Sequence, residues 1–261
     1  MNAFSLSPNP NLLFQTGLIK TALHKLRYVI SERQGLTALL GEPGLGKSSI
    51  VRMLISELDA DEKYEIGFIA TPSFPSDFAF LKAITVQFQV PGKRSYQLQE
   101  EALFQKLVEL NAAGKHAVLF LDEAQRLPGK QLEVTRTLIN FETNTEKLIT
   151  VVFAAQMELY NHLKDPSKKA LKSRILFPTT LSPLSLQDTT QMLEFRCEQA
   201  GIPLPFIPQT IKAIYDESGG NPREILKIAA AAFHMMTLKG ESIVPPEAIP
   251  FVVKEARLNY E

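Results

Sequence analysis

One short segment constrains the fold of this chain more than any other. Residues 41–48, Gly-Glu-Pro-Gly-Leu-Gly-Lys-Ser, follow an apolar run at 36–40 and precede a stretch of helical periodicity at 48–58. Glycines at this spacing let successive backbone N–H groups turn inward, and the start of a helix adds a partial positive charge. The segment therefore predicts a strand, an anion-binding loop and a helix in that order. A glycine-rich turn that matches by chance is the alternative, and the flanking strand and helix patterns disfavour it.

The loop pattern also predicts which residues hold a nucleotide. Lys47 has the reach to contact the β- and γ-phosphates of a bound triphosphate, and the Ser48 hydroxyl is a ligand for Mg²⁺. We expect the phosphates to be surrounded by the loop and its flank: Gly41, Glu42, Pro43, Gly44, Leu45, Gly46, Lys47, Ser48 and Ser49.

The pattern of the remaining chain predicts an α/β fold. Continuous apolar runs typical of strands buried on both faces occur at 36–40, 64–70, 116–121 and 148–155, and helical periodicity separates them. A linker or a final edge strand is expected at 178–186. Beyond it only helical patterns occur, at 186–201, 208–218, 222–238 and 245–259, each bounded by Pro or Gly. We therefore expect a core over 1–183 and a helical domain over 184–261.

Composition excludes several classes of protein. With 45% hydrophobic and 21% charged residues, the chain is neither disordered nor fibrous. The 28 basic residues balance 28 acidic ones, so nucleic-acid binding would require a local basic patch. The single cysteine, Cys197, allows neither an intramolecular disulfide nor a zinc cluster and favours a reducing cytoplasm. We see neither a membrane segment nor a signal peptide and expect a cytoplasmic protein.

Two adjacent carboxylates follow the third predicted strand. Asp122 is placed to hold Mg²⁺ through water, and Glu123 to polarise an attacking water. The alternative is a solvated acidic turn, which is less expected in a chain with a phosphate loop. A glutamate beside the metal-binding aspartate favours hydrolysis over phosphoryl transfer to a metabolite.

Three further polar residues are candidates for the same site. Gln156 ends the fourth strand, where it could touch the γ-phosphate or orient water, or merely cap the strand. Arg174 follows a lysine-rich stretch and could neutralise charge at the nucleotide of a neighbouring subunit, unless it is a solvated surface residue. Arg223 begins a predicted helix of the second domain and could reach the phosphates, the alternative being a surface position.

Taken together, these motifs resemble the AAA+ ATPases, and more narrowly the ExeA/GspA branch of that family. The resemblance covers nearly the whole chain and is most specific in Asp-Glu-Ala-Gln at 122–125 and Gly-Gly-Asn-Pro-Arg at 219–223. It further includes residues 4–11, 140–143, 153–159 and 173–175. It implies an αβα sandwich with a parallel sheet, a C-terminal helical lid, ATP and Mg²⁺ as ligands, and ATP-dependent assembly into a homo-oligomer.

Site roles carry over from the family at matching positions. The resemblance makes Lys47 and Ser48 the Walker A pair, Asp122 and Glu123 the Walker B pair, and Gln156 sensor 1. The other implied roles are sensor 2 for Arg223, the arginine finger for Arg174, and a place beside adenine for Asn11 and its neighbour Leu12. Three departures are a serine in place of the commoner threonine at 48, Leu45 where small or polar residues are frequent, and Ala155 where glycine usually precedes the sensor glutamine.

The resemblance leaves the biological role open. Relatives such as TniB, TnsC and MuB are ATP-dependent regulators of transposition that assemble on double-stranded DNA and recruit a transposase, and we favour this role. The alternative is the ATPase module of a secretion or cell-envelope assembly protein, although ExeA-type proteins continue into a membrane helix that this sequence lacks. A STAND-type signalling switch is a third, weaker candidate. Candidate DNA contacts are Lys93, Arg94, Lys115, Arg126 and Lys130.

Overall fold

A computed structural model describes residues 2–7 and 9–256 of the chain. It contains a sheet of five parallel strands in the order β2-β3-β4-β1-β5. The strands are β1 (Leu36–Leu40), β2 (Tyr64–Ile69), β3 (His116–Leu121), β4 (Ile149–Ala155) and β5 (Thr179–Thr180). Every residue of β1, β3 and β4 is buried, as continuous apolar strands require. The predicted α/β class with a parallel sheet is confirmed.

The sheet is accompanied by seven helices within the described part of the chain. They are α1 (Gly17–Ser31), α2 (Lys47–Asp59), α3 (Asp77–Gln87), α4 (Tyr96–Ala112), α5 (Gly129–Leu138), α6 (Met157–His162) and α7 (Lys169–Lys172). The sequence predicts the longer helices, whereas α6 and α7 are too short and too polar to show a period. The strand expected within 178–186 is β5, an edge strand of two residues that pairs with Leu39 and Leu40.

The C-terminal region is helical, as predicted. It contains α8 (Leu186–Ala200), α9 (Pro208–Ser218), α10 (Pro222–Leu238) and α11 (Ala248–Ala256), and the predicted extension of the last helix over 257–259 lies outside the described residues. Residues from all four helices, among them Leu193, Ile214, Ala229 and Val252, form a hydrophobic core of their own. Cys197 is buried in this core, which raises the pKa of its thiol to about 11.

The chain divides into two compact units. One comprises Met1–Thr16, Pro43–Ser49 and Ser182–Glu261, and the other comprises Gly17–Glu42 and Ile50–Leu181. In the first unit the amino-terminal segment packs on the helices: the Phe4 ring lies 5.5 Å from those of Phe206 and Phe233. Arg196 of α8 donates hydrogen bonds to the carbonyl oxygens of Ala3 (3.2 Å) and Ser5 (3.1 Å). The first residues are thus part of the helical unit. The division at 183/184 stays a prediction.

Among residues 2–7 and 9–256, no helix combines the length and the apolar character that crossing a bilayer requires.

A buried histidine makes the sheet-containing unit sensitive to acid. His116 is only 3% exposed, and its Nε2 lies 2.8 Å from Thr150 Oγ1. Burial lowers its pKa to about 3, and the positive charge of Arg33 adds to this effect. The folded protein therefore keeps the ring neutral, while the unfolded chain takes up a proton below its pKa of about 6.5.

We expect this difference to cost stability as the pH falls below 6.5. The loss attributable to His116 should be about 1 kcal/mol between pH 6.5 and 5.5, because only the unfolded state gains the proton in that range. Urea unfolding of the wild type and of His116→Gln at both pH values measures it. The variant should lose less stability than the wild type on acidification, and parallel losses would contradict the assignment.

Candidate nucleotide-binding site

The glycine-rich loop joins β1 to α2, which begins at Lys47. Gly44 and Gly46 have φ values of +87° and +93°, in the left-handed region that side chains disfavour. A Cβ built on Gly46 would meet no described atom within 4 Å, so open space lies beside the loop at the start of the helix. This geometry leaves room for phosphate oxygens at the start of a helix, and the anion-binding role of the loop stays a prediction.

The other loop residues differ in their exposure. Glu42 and Pro43 are exposed, Ser48 and Ser49 are half-buried, and Leu45 is buried at 4% exposure. The burial of Leu45 leaves its backbone, rather than its side chain, as the group that could serve an anion. Lys47 is only 5% exposed, which is unusual because lysine is rarely buried unless it is paired.

The Gly-Gly-Asn-Pro-Arg segment contacts the loop within the helical unit. Asn221 caps α10 by accepting a hydrogen bond from the backbone N–H of Arg223 (3.0 Å), and it donates to the carbonyl oxygen of Pro43 (2.8 Å). The Arg223 N–H also donates to the Gly44 carbonyl (3.3 Å). A Cβ on Gly44 would lie 2.9 Å from that of Arg223 and overlap the Asn221 amide, so this close approach requires glycine.

This arrangement adds a residue that the sequence interpretation missed. Asn221 belongs to the quoted motif, yet only Arg223 receives a role from the sequence. The Arg223 side chain is exposed, and its backbone makes the contact with the loop.

The acidic pair lies at the carboxyl end of β3. The register pairs Leu121 of β3 with Phe153 of β4, so Asp122 and the end of β4 lie at the same edge of the sheet. Asp122 is 6% exposed, and its Oδ1 accepts a hydrogen bond from the Glu123 N–H (3.0 Å). Glu123 adopts φ 55°, ψ 35°, a left-handed conformation rare for glutamate and frequent at functional turns.

Two amide side chains converge on the Glu123 carboxylate. Its Oε2 accepts hydrogen bonds from Gln125 Nε2 (2.6 Å) and from Gln156 Nε2 (3.3 Å). The Oε1 of Gln125 in turn accepts from the backbone N–H of Gln156 (3.1 Å). The structure thus brings Gln156 to the acidic pair and adds Gln125, for which the only signal in the sequence is the motif Asp-Glu-Ala-Gln.

Arg174 and Asn11, two of the predicted site residues, lie on the surface. Arg174 is exposed just after α7, and its Nη1 donates to the carbonyl oxygen of Ala170 (2.7 Å). Asn11 is exposed in a short 3-10 turn, Pro10–Leu12, that begins with an Asn9 cap. Pro8, which belongs to the segment 4–11 that resembles the family, lies outside the described residues.

A protein-family model and the sequence of a known protein both match this chain. The family model for the AAA domain matches residues 30–163. General secretion pathway protein A of Aeromonas hydrophila is 36% identical over 225 residues, which are 85% of this chain and 41% of that protein. The chain therefore spans less than half the length of this relative.

Solved structures show the same fold at low sequence identity. Cdc6p from Pyrobaculum aerophilum has a TM-score of 0.74 at 20% identity, over 97% of this chain and 70% of that one. The Aeropyrum pernix ORC1 protein in complex with DNA scores 0.72 at 18% identity, over 98% and 68%. The Holliday junction branch migration motor RuvB of Thermotoga maritima scores 0.60 at 17% identity, over 92% and 68%.

Proposed function

Because the chain belongs to the AAA domain family, in the ExeA/GspA branch of AAA+ ATPases, we propose that it binds ATP with magnesium and hydrolyses it to ADP and phosphate. The observation that carries this proposal is the Glu123 carboxylate, held by two amides at the end of β3 in a chain that also has an open glycine loop before α2. Phosphate release by the wild type, compared with Glu123→Gln, tests it.

Binding is proposed to rest on the loop and on α2. Backbone N–H groups of residues 41–49 and the Lys47 ammonium hold the phosphates. Ser48 and Asp122 are oxygen donors of the kind magnesium prefers, and the metal would screen the charge of the β- and γ-phosphates. Asn11 is proposed to border adenine.

Hydrolysis is proposed to depend on Glu123 as general base. Its carboxylate takes a proton from the attacking water, and Gln156 helps to orient that carboxylate. Arg223 is proposed to act as the sensor for the phosphates. Arg174 is proposed to act at the nucleotide of a second copy, in which case ATP-dependent oligomerisation completes the site.

For the biological role, we propose a DNA-associated regulator of transposition that recruits a transposase, in the cytoplasm. Lys93, Arg94, Arg126 and Lys130 have exposed side chains with no ion pair in the described part of the chain, which leaves them accessible to DNA phosphates. Lys115 fits this role less well. Its Nζ lies 3.6 Å from Glu65 Oε2. Lys115 also precedes β3, whereas Arg126 and Lys130 follow β3 and so come after its other end. The DNA complex of the ORC1 relative makes such binding compatible with the fold.

The second candidate role is the ATPase module of a secretion or cell-envelope assembly protein. The 36% identity to general secretion pathway protein A favours it. This role requires no DNA contact, so DNA binding separates the two candidates.

A mobility-shift experiment at low salt should therefore show duplex DNA bound with a non-hydrolysable ATP analogue and magnesium. Arg126→Ala with Lys130→Ala should weaken binding about tenfold or more, because each lost phosphate contact removes counterion release. Lys20→Ala, at an exposed position of α1 that is not a candidate contact, serves as the control and should bind nearly as well as the wild type. No shift under any nucleotide condition would exclude the DNA-associated role and leave the secretion role.

A further inference from the structure

Gln125 has no role in the hydrolysis proposed above, yet its side chain contacts the Glu123 carboxylate. It lies in the 3-10 turn Ala124–Arg126, immediately after Glu123, and its amide is half-buried. Its Nε2 donates to Glu123 Oε2 at 2.6 Å, shorter than the 3.3 Å bond from Gln156 Nε2 to the same oxygen. Its Oε1 accepts from the Gln156 N–H at 3.1 Å. One amide therefore connects the carboxylate to the end of β4.

We propose that Gln125 is a positioning residue that sets the orientation of the Glu123 carboxylate for attack by water. This inference rests on the proposed hydrolysis of ATP and assigns a further residue to it. Gln125 touches neither nucleotide nor water in this role and acts through Glu123.

The position of Glu123 explains why other residues are required to fix the orientation of its carboxylate. Glutamate has three rotatable side-chain bonds, and Glu123 lies in a left-handed turn directly after a buried strand, outside any helix or strand. Two N–H donors on Oε2 select one orientation and leave Oε1 without a hydrogen bond from any residue that the structure describes. Oε1 is then the oxygen available to accept a proton from water.

The turn that carries Gln125 is itself fixed. Ala124 is fully buried, the Arg126 N–H donates to the Glu123 carbonyl (3.0 Å), and the Leu127 N–H donates to that of Ala124 (3.2 Å). Because this turn is fixed, the Gln125 amide holds the Glu123 carboxylate at a constant position relative to the end of β4.

The competing explanation is that Gln125 is merely structural and holds its turn to β4 through the bond from the Gln156 N–H. Gln125→Glu separates the two roles. Glutamate has the same length and keeps the oxygen that accepts from Gln156, but it replaces the donor with a second negative charge beside Glu123.

We expect both Gln125→Ala and Gln125→Glu to lower kcat about tenfold to a hundredfold, because small misplacements of a catalytic group have effects of this size. Affinity for ATP with magnesium, measured by calorimetry, should stay within about twofold of wild type. Thermal unfolding should show a folded Gln125→Glu protein, and Gln105→Ala, an exposed glutamine of α4, is the matched control and should keep the wild-type kcat.

Wild-type kcat in Gln125→Glu would overturn the proposal, since only the accepting bond would then matter. A parallel loss of affinity and kcat in both variants would overturn it too, because a positioning residue for the base does not act on binding. Failure of the wild type itself to hydrolyse ATP is a different result, which refutes the proposed function and not the role of Gln125 within it.

Discussion

The Glu123→Gln protein should hydrolyse ATP at least about a hundredfold more slowly than the wild type, yet bind ATP almost as tightly. A positioned general base contributes roughly a hundredfold to ten-thousandfold to a rate, and an amide cannot take the proton. The substitution is isosteric, and the amide oxygen still accepts the bonds that Gln125 and Gln156 donate to Oε2. The loss should therefore fall on kcat, and the ATP-bound assembly should persist.

Single-turnover phosphate release and calorimetry on the same preparation measure the two quantities. Glu57→Gln is the matched control, because Glu57 is a surface residue paired with Arg27 and should not affect hydrolysis. Equal rates for the wild type and Glu123→Gln would mean that another group activates the water.

Lys47→Ala should weaken binding of ATP itself. Lys47 is the first residue of α2 and is almost completely buried, so its side chain is withdrawn from bulk water. Removing one partner of a buried, hydrogen-bonded charge pair costs about 2–5 kcal/mol, which corresponds to a loss of affinity of roughly 30-fold or more.

Titration of the variant with ATP and magnesium checks this expectation. Lys20→Ala, at an exposed position of α1, is the control and should bind like the wild type. Unchanged affinity in Lys47→Ala would show that the loop does not hold the phosphates.

The strands that carry the site are readable from the sequence. Strands β1, β3 and β4 are buried along their whole length, so their continuous apolar runs show both their position and the parallel arrangement. The glycine loop and the acidic pair follow such strands directly, which is why their places at the sheet edge could be predicted. Short polar helices such as α6 and α7 have no comparable signal.

The contacts that complete the site are not readable in the same way. Gln125 and the Gln156 backbone are 31 residues apart, and Asn221 is 178 residues from Pro43, so no local pattern encodes either bond. Likewise, the expected core over 1–183 includes the first residues, whereas Phe4 and the carbonyl oxygens that Arg196 binds belong to the helical unit. Side-chain hydrogen bonds between distant segments appear only once the fold has brought their backbones together.

Calorimetric titration of the folded wild type with ATP and magnesium, at two temperatures, tests the central claim most directly. Saturable binding of one nucleotide per chain is the predicted result. Absence of binding heat with both ATP and ADP at millimolar concentration, at both temperatures, would contradict the account.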